Sequence, residues 1–228
     1  MKSRASLQLR GEVSEKGKRK EKCGKGEAER IAQWKNLPNR MLLWHGSKVE
    51  NFLGILSQGL RIAPPESDTS GWAFGQGIYF ADQFQKSFNY TSSQVIGRCH
   101  AVFLLLCEVA LGKMYEVFQY RSNLKVLPGT LDNLYLDIFS LFLLHLKEHI
   151  SKKAIGGCKS VKGVSEEGPD PKQSVYLPNG TIVPVGEIVK LKLPKGEKKP
   201  VYFNISSAEY IVYDESQVRM RYLVQVSH

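Results

Sequence analysis

The sequence predicts an α+β fold with mainly antiparallel sheets, and three observations support this prediction. Residues 209–213 and 218–226 alternate apolar and polar side chains, as half-buried strands do. Residues 100–111 form a strongly apolar run that predicts a buried strand. The segments with helical spacing are short and do not alternate regularly with strands, which favours antiparallel sheets over a doubly wound parallel sheet.

A helix and a strand are predicted in the first part of the chain. Residues 27–35 carry apolar side chains at helical spacing, and Pro38 ends that helix. Residues 41–44 are apolar and predict a short buried strand.

The next segment predicts a strand that runs directly into a helix. Ser47 followed by Glu50 has the form of a capping box, with Ser47 at the helix N-terminus. Apolar residues at helical spacing follow, and Gly59 is a favourable C-terminal stop. His45 and Gly46 therefore lie at the junction between the two elements.

Residues 63–77 predict an irregular structured loop, because the segment contains two prolines and three glycines. Residues 77–81 predict a short strand. Asp82 then caps a second helix that we expect to continue through Tyr90.

The C-terminal half predicts one helix and then strands joined by turns. Residues 131–146 are apolar nearly all round, and the length of this run favours a helix. The further strands are expected over residues 174–177, 181–185 and 189–193.

The positive charge lies mainly near the N-terminus. The formal net charge is +10, of which +7 falls within residues 1–40 and +3 within the rest of the chain. Residues 1–26 have no helical or strand periodicity, so we expect a disordered basic tail. Such a tail either keeps the protein soluble or attracts polyanions such as DNA and RNA weakly.

Composition narrows the class of protein. The hydrophobic fraction of 42% and the charged fraction of 24% are globular values, which excludes a fibrous or wholly disordered chain. The apolar runs are too short to span a bilayer, and no secretory signal is visible. The four cysteines show no metal-ligand spacing, so we expect reduced thiols in an intracellular protein.

Two features of the predicted junction are compatible with a ligand. Gly46 lets a ligand approach the backbone next to His45, although a histidine after a strand is more often structural. Gly54 lies inside the predicted helix, where glycine costs about 0.8–1 kcal/mol relative to alanine. Either close helix packing or a ligand must offset that cost.

Three further residues could take part in chemistry. Ser87 and Tyr90 share one face of the predicted helix, where a hydroxyl and a ring suit a planar heteroaromatic amide. Glu209 begins an apolar strand, where a carboxylate is unusual. Taken singly, a serine and a tyrosine on one helix face usually have no special role, and Glu209 is more simply a charge at a sheet edge.

Together, these segments resemble the catalytic domain of poly(ADP-ribose) polymerases, specifically the nuclear branch that responds to DNA damage. The resemblance covers residues 27–226 apart from an unusual insertion near residues 120–155, and it implies a catalytic domain over residues 27–228. His45, Tyr79 and Glu209 match the H-Y-E signature of the family. The matching segments, in family order, are LLWHGSK, GILSQGLRIAPP, GIYFADQFQKSFNY, EVALG and AEYIVYDESQVRMRYL.

The resemblance implies the ADP-ribosyltransferase fold, which is a pair of packed, mainly antiparallel β-sheets with short flanking helices. It also implies transfer of ADP-ribose from the substrate NAD to protein acceptors or to a growing ADP-ribose chain, with release of nicotinamide. No metal is implied. The location implied is the nucleus, with the cytoplasm as the alternative.

The resemblance also assigns residues to the nicotinamide end of NAD. The backbone of Gly46 and the hydroxyl of Ser87 would hold the carboxamide. Tyr90 would stack on the ring, with Tyr79 at its flank. Glu209 would be the catalytic carboxylate.

At the adenosine end, the resemblance implies that His45 and Ser47 bind the ribose. Gly54 and Arg61 match further positions that contact NAD in the family. Residues 61–77 would form the donor-site loop over the substrate.

Other readings remain open. Loss of acceptor contacts would give a mono-ADP-ribosyltransferase, and a third alternative is a non-catalytic fragment that binds NAD or nucleic acid. The donor loop carries Gln76 where this branch commonly has lysine. Residues 1–26 lack the pattern of the helical regulatory subdomain of this branch, so we expect activity that does not require broken DNA.

Overall fold

A computed structural model describes residues 29, 32–62, 73–92, 94–96, 99–118, 158–191 and 205–227. The predictions for the basic tail and for the segment near residues 120–155, with its apolar helix, lie outside these residues. Residues 63–72 of the predicted loop and residues 27, 28, 30 and 31 of the first predicted helix lie outside them too. Within the described part of that helix, residues 29 and 32 are helical and residues 33–36 form a turn.

The described residues contain twelve strands, two complete short α-helices and the helical residues Glu29 and Ala32. The helices are α1 (Phe52–Gln58), which follows a 3-10 turn over Val49–Asn51, and α2 (Phe84–Phe88). Among the described residues, no helix is both long and apolar enough to cross a membrane. The strands are β1 (Arg40–Gly46), β2 (Ile78–Ala81), β3 (Gln94–Ile96), β4 (Cys99–Ala110), β5 (Met114–Val117), β6 (Ser160–Gly163), β7 (Glu167–Pro169), β8 (Val175–Tyr176), β9 (Ile182–Val183), β10 (Ile188–Lys190), β11 (Glu209–Val212) and β12 (Val218–Ser227).

Ten of the strands form one sheet. Its main path runs β12-β4-β1-β2-β11-β6-β5, β3 pairs with β4, and the β8–β9 hairpin joins β1 through β9. The pairs are antiparallel except β1–β9 and β5–β6, and β7 and β10 form a separate antiparallel pair. The predicted α+β class with mainly antiparallel strands is confirmed.

The large sheet is held together by few residue pairs between β1 and β2. β1 pairs with β4 along its whole length, but it meets β2 at the single pair Trp44↔Ala81. β2 pairs with β11 along its whole length. The two predicted sheets are therefore two halves that are joined at this pair, and the residues after Trp44 lie where the halves meet.

β11 is buried on both faces. Tyr210 and Val212 pack into an apolar cluster that includes Phe80, and Ile211 packs into a second cluster around Phe74. All four residues of the strand are buried, including the carboxylate at its first position.

The strands with strong patterns are confirmed, and the weakly patterned ones are shorter than predicted. The predictions for residues 41–44, 77–81, 100–111, 209–213 and 218–226 correspond to β1, β2, β4, β11 and β12. β8, β9 and β10 have only two or three residues each. Both residues of β8 are exposed, so little packing is available to extend it.

The predicted cap at Ser47 is wrong. The N-cap is Lys48, which makes no side-chain capping bond, because the backbone is still extended there and turns one residue later than predicted. The Ser47 hydroxyl instead accepts a hydrogen bond from the Asn51 amide at 3.0 Å. The Val49 N–H donates to the Ser92 hydroxyl at 2.9 Å, so a residue distant in sequence satisfies the helix start.

The predicted cap at Asp82 is also wrong. The N-cap of α2 is Gln83, which makes no side-chain capping bond, and α2 ends at Phe88 rather than at Tyr90. The Asp82 carboxylate accepts a hydrogen bond from the buried Tyr210 hydroxyl instead.

Candidate active site

Three strands bring the predicted site residues to the junction of the two half-sheets. Trp44 of β1 pairs with Ala81 of β2, and Ala81 pairs in turn with Glu209 of β11. His45 and Gly46 follow Trp44 in β1. Residues from distant parts of the sequence therefore meet in one row across the sheet.

His45 is anchored to β2. Its Nδ1 lies 2.8 Å from the Tyr79 carbonyl oxygen. A carbonyl oxygen only accepts, so Nδ1 carries a proton and donates it to this bond. Burial lowers the pKa of His45, although the same hydrogen bond raises it. The imidazole is therefore neutral at physiological pH, and Nε2 is left as an acceptor.

Gly46 is required by the close approach of α2. A Cβ atom at this position would lie 1.8 Å from the backbone carbonyl oxygen of Ser87. The Ser87 side chain is buried, and its hydroxyl donates to the Trp44 carbonyl at 3.0 Å. The backbone of Gly46 in β1 and that of Ser87 in α2 therefore lie in close contact and form one wall of the site. Any side chain at residue 46 would force β1 and α2 apart.

Tyr79 is anchored through its hydroxyl to the end of the predicted donor loop. The hydroxyl donates to the Gly75 carbonyl at 2.7 Å and accepts from the Phe74 N–H at 3.0 Å. The pKa of Tyr79 is raised mainly by burial and further by the negative charge of Glu209. Tyr79 therefore stays protonated, and its hydroxyl is suited to holding the loop.

Glu209 forms a buried ion pair that the sequence did not predict. Glu209 is 6% exposed, and its Oε1 lies 2.8 Å from Nζ of Lys86. The Lys86 ammonium also lies 5.7 Å from the centre of the Tyr90 ring. In the helix that was predicted to continue through Tyr90, Lys86 and Tyr90 are four residues apart and share one face, and this was the available signal. In the structure, Tyr90 lies just beyond the end of α2.

The remaining predicted residues lie at the surface. The Tyr90 side chain is 57% exposed, which leaves its ring accessible for stacking. Arg61 is exposed and donates to the Gln58 side chain at 3.1 Å. A Cβ atom on Gly54 would meet nothing within 4 Å, so the cost of this glycine is not offset by helix packing, and the ligand alternative remains.

The described parts of the donor loop are its two ends. The Ile62 N–H donates to the Glu215 carboxylate at 2.8 Å. At the other end, the Tyr213 hydroxyl donates to the Phe74 carbonyl at 2.6 Å. Both ends are thus tied to residues just after β11, the strand that carries Glu209.

The arrangement suits a planar ligand beside a carboxylate. A flat amide fits against a wall made of backbone, and an exposed ring is available to cover it. A buried carboxylate nearby stabilises positive charge that develops on the ligand. The described residues contain no group of three or more His, Cys, Asp or Glu side chains that could hold a metal ion.

Comparison of the sequence with known proteins identifies a family and several relatives. Residues 21–131 and 141–228 match the family described as poly(ADP-ribose) polymerase catalytic domain. The chain is 42% identical over 200 residues to poly(ADP-ribose) polymerase 2 of Arabidopsis thaliana, an alignment that covers 88% of this chain and 26% of that protein. It is 39% identical over 204 residues to poly(ADP-ribose) polymerase 1 of Danio rerio, covering 88% of this chain and 16% of that protein. The chain thus spans about a quarter or less of the length of these relatives.

Proposed function

The chain belongs to the poly(ADP-ribose) polymerase family, and on that premise we propose that it transfers ADP-ribose from NAD to acceptors and releases nicotinamide. The observation that carries this proposal is the buried Glu209 carboxylate beside the wall formed by Gly46 and Ser87. The acceptors we propose are protein side chains and the end of a growing ADP-ribose chain.

At the nicotinamide end, the backbone of Gly46 and the hydroxyl of Ser87 hold the carboxamide. The hydroxyl exchanges its bond to the Trp44 carbonyl for one to the carboxamide, since it has one proton to donate. Tyr90 covers the exposed face of the ring, and Tyr79 lies at its flank. This grip fixes the orientation of the bond that is to break.

At the adenosine end, His45 and Ser47 bind the ribose. The free Nε2 of the neutral His45 accepts a hydrogen bond from a ribose hydroxyl. Gly54 and Arg61 make further contacts, for which the open space beside Gly54 leaves room.

The reaction breaks the bond between the nicotinamide nitrogen and C1′ of the ribose. The bonding electron pair leaves with nicotinamide, so C1′ acquires oxocarbenium character as in glycoside cleavage. The Glu209 carboxylate stabilises this positive charge. The oxygen of the acceptor hydroxyl then bonds to C1′, and Glu209 accepts the proton that this hydroxyl loses. Lys86 fixes the orientation of the carboxylate through its 2.8 Å contact.

Incubation with labelled NAD and a protein acceptor tests this function. A ladder of labelled products supports transfer with elongation, which we expect because branches of the family that lack this carboxylate usually transfer single units. One labelled band supports the mono-ADP-ribosyltransferase. Absence of label, with NAD binding retained, supports the non-catalytic alternative.

We further propose a division into a basic tail over residues 1–26 and a catalytic domain over residues 27–228. The net charge of +7 within residues 1–40 favours weak contact of the tail with DNA or RNA. Together with the resemblance to the nuclear branch of the family, it favours a role in the nucleus during the response to DNA damage. Binding to DNA should weaken steeply as salt rises, if the tail charge is responsible.

Replacement of Tyr90 by alanine should weaken nicotinamide binding by about 1–3 kcal/mol, the scale of stacking between an aromatic side chain and a base. The loss should be measured by titration with nicotinamide. Tyr176→Ala is the matched control, because Tyr176 is also an exposed tyrosine but lies on β8. Equal affinity of both variants and the wild-type protein would contradict the stacking role.

A further inference from the structure

Behind the catalytic strand lies a buried hydrogen bond between Asp82 and Tyr210. The Tyr210 hydroxyl donates to Oδ2 of Asp82 at 3.0 Å, and the two residues are only 3% and 7% exposed respectively. Asp82 directly follows β2 and precedes α2 by two residues. Tyr210 follows Glu209 in β11 and points to the opposite face of the sheet. The bond therefore links the start of α2 to the strand that carries the catalytic carboxylate.

Helix α2 is too short to be stable by itself and depends on contacts with the sheet. It has five residues, far below the length at which an isolated helix is stable, and its N-cap Gln83 makes no side-chain capping bond. Lys86 and Ser87 of α2 reach Glu209 and the Trp44 carbonyl respectively. Contacts with the sheet, rather than the helix itself, must set where these two side chains lie.

The Asp82 carboxylate opposes movement of the connection between β2 and α2. Its Oδ1 is buried and has no hydrogen-bonding partner of standard geometry among the described residues. Burial raises the pKa of Asp82 to about 6, against the lowering effects of the Tyr210 hydroxyl, Lys162 and nearby backbone amides. At neutral pH the group is mainly a buried anion, which is costly unless it is hydrogen-bonded. Movement of the connection away from Tyr210 would remove the hydrogen bond that the Tyr210 hydroxyl donates to this anion.

Tyr210 is itself held firmly by the sheet. In the strand register, Tyr210 lies beside Lys162 of β6, and Lys162 lies beside Glu116 of β5. The Lys162 ammonium lies 5.7 Å from the centre of the Tyr210 ring and 4.0 Å from the Glu116 carboxylate. The hydroxyl thus extends from a ring that three adjacent strands keep in place.

We propose that Asp82 and Tyr210 are a pair of positioning residues, whose hydrogen bond sets α2 at the distance from β11 that lets Lys86 orient Glu209. This role rests on the proposed function. The nicotinamide wall between β1 and α2 has its own link through Ser87. Loss of the Asp82–Tyr210 bond should therefore impair turnover more than substrate binding.

The test compares Tyr210→Phe, which removes only the hydroxyl, with Asp82→Ala and Asp82→Asn. We expect Tyr210→Phe and Asp82→Ala to lower kcat by roughly 10- to 100-fold, the scale of a small misplacement of catalytic groups, with KM for NAD changed less than about threefold. Asp82→Asn keeps an oxygen acceptor for Tyr210, so it should retain kcat close to that of the wild-type protein. The double variant Tyr210→Phe/Asp82→Ala should be no worse than Asp82→Ala alone.

Ser160→Ala is the matched control, because it removes another buried hydroxyl, which donates to the Leu111 carbonyl at 2.7 Å. Amide hydrogen exchange over residues 84–91 supplies a readout that does not depend on activity. Exchange there should become faster in Tyr210→Phe and not in Ser160→Ala or Asp82→Asn.

Three outcomes would overturn the positioning role. They are equal kcat and exchange in Tyr210→Phe and Ser160→Ala, equal defects in Asp82→Asn and Asp82→Ala, or a rise in KM with kcat unchanged. If the wild-type protein transfers no ADP-ribose, the proposed function fails, and exchange over residues 84–91 alone then decides whether the bond positions α2.

Discussion

Replacement of Glu209 by glutamine should abolish formation of ADP-ribose polymer and leave NAD binding nearly intact. The two side chains have the same shape, and the glutamine oxygen still accepts a hydrogen bond from Lys86. Only the negative charge is lost, and the proposed transition state depends on that charge. We expect turnover to fall at least about 100- to 1,000-fold, the scale for removing one preorganised electrostatic contact, while the dissociation constant of NAD changes less than about threefold.

The dissociation constant and the polymer yield should be measured on the same preparations. Glu187→Gln is a suitable control, because Glu187 is an exposed carboxylate outside the site. Unchanged elongation by the Glu209→Gln variant would falsify the catalytic assignment. Loss of NAD binding to the same extent as loss of turnover would assign Glu209 to substrate binding instead.

The fold was largely predictable, because its strands carry strong local patterns. The apolar run over residues 100–111 predicts β4, and the alternation over residues 218–226 predicts β12; both strands are found within a residue or two of these bounds. β8 is shorter than predicted. Both of its residues are exposed, and only tertiary packing decides where such a strand ends, so the local pattern could not give its length.

The capping predictions failed for a related reason. A capping box is a local pattern, but the N–H of Val49 is satisfied by Ser92, which the fold brings close. Asp82 was placed at a cap by its position before α2, yet its carboxylate is bound by Tyr210 across the fold. The neighbouring sequence does not show that a side chain takes part in a hydrogen bond to a residue far away along the chain.

The site residues found from the sequence were those to which the resemblance assigned a role. Lys86 lies within the matching segment GIYFADQFQKSFNY, but no role was assigned to it. Its spacing to Tyr90 places both on one face of the predicted helix. The sequence could not show which strand that face meets. That contact depends on α2 lying against both β1 and β11, which only the three-dimensional arrangement shows.

Replacement of Gly46 by alanine should disable the nicotinamide end of the site. The new Cβ would lie 1.8 Å from the Ser87 carbonyl oxygen and 2.8 Å from its carbon, so backbone must move. Displacement of α2 would weaken the bond from Ser87 to Trp44 and shift Lys86 relative to Glu209. We expect a stability loss of about 1–3 kcal/mol, as for other overpacked positions, and a fall in turnover of about 100-fold or more.

Gly54→Ala is the matched control for this substitution, since it adds the same methyl group where nothing lies within 4 Å. In the middle of α1, alanine should raise stability by about 0.8–1 kcal/mol through its higher helix propensity. If Gly54 contacts the adenosine end of NAD, this variant should bind NAD more weakly and nicotinamide as tightly as the wild-type protein. Gly46→Ala should lose both ligands, because the wall between β1 and α2 holds the part that they share. Retention of nicotinamide binding by a folded Gly46→Ala variant would therefore show that the carboxamide is held elsewhere.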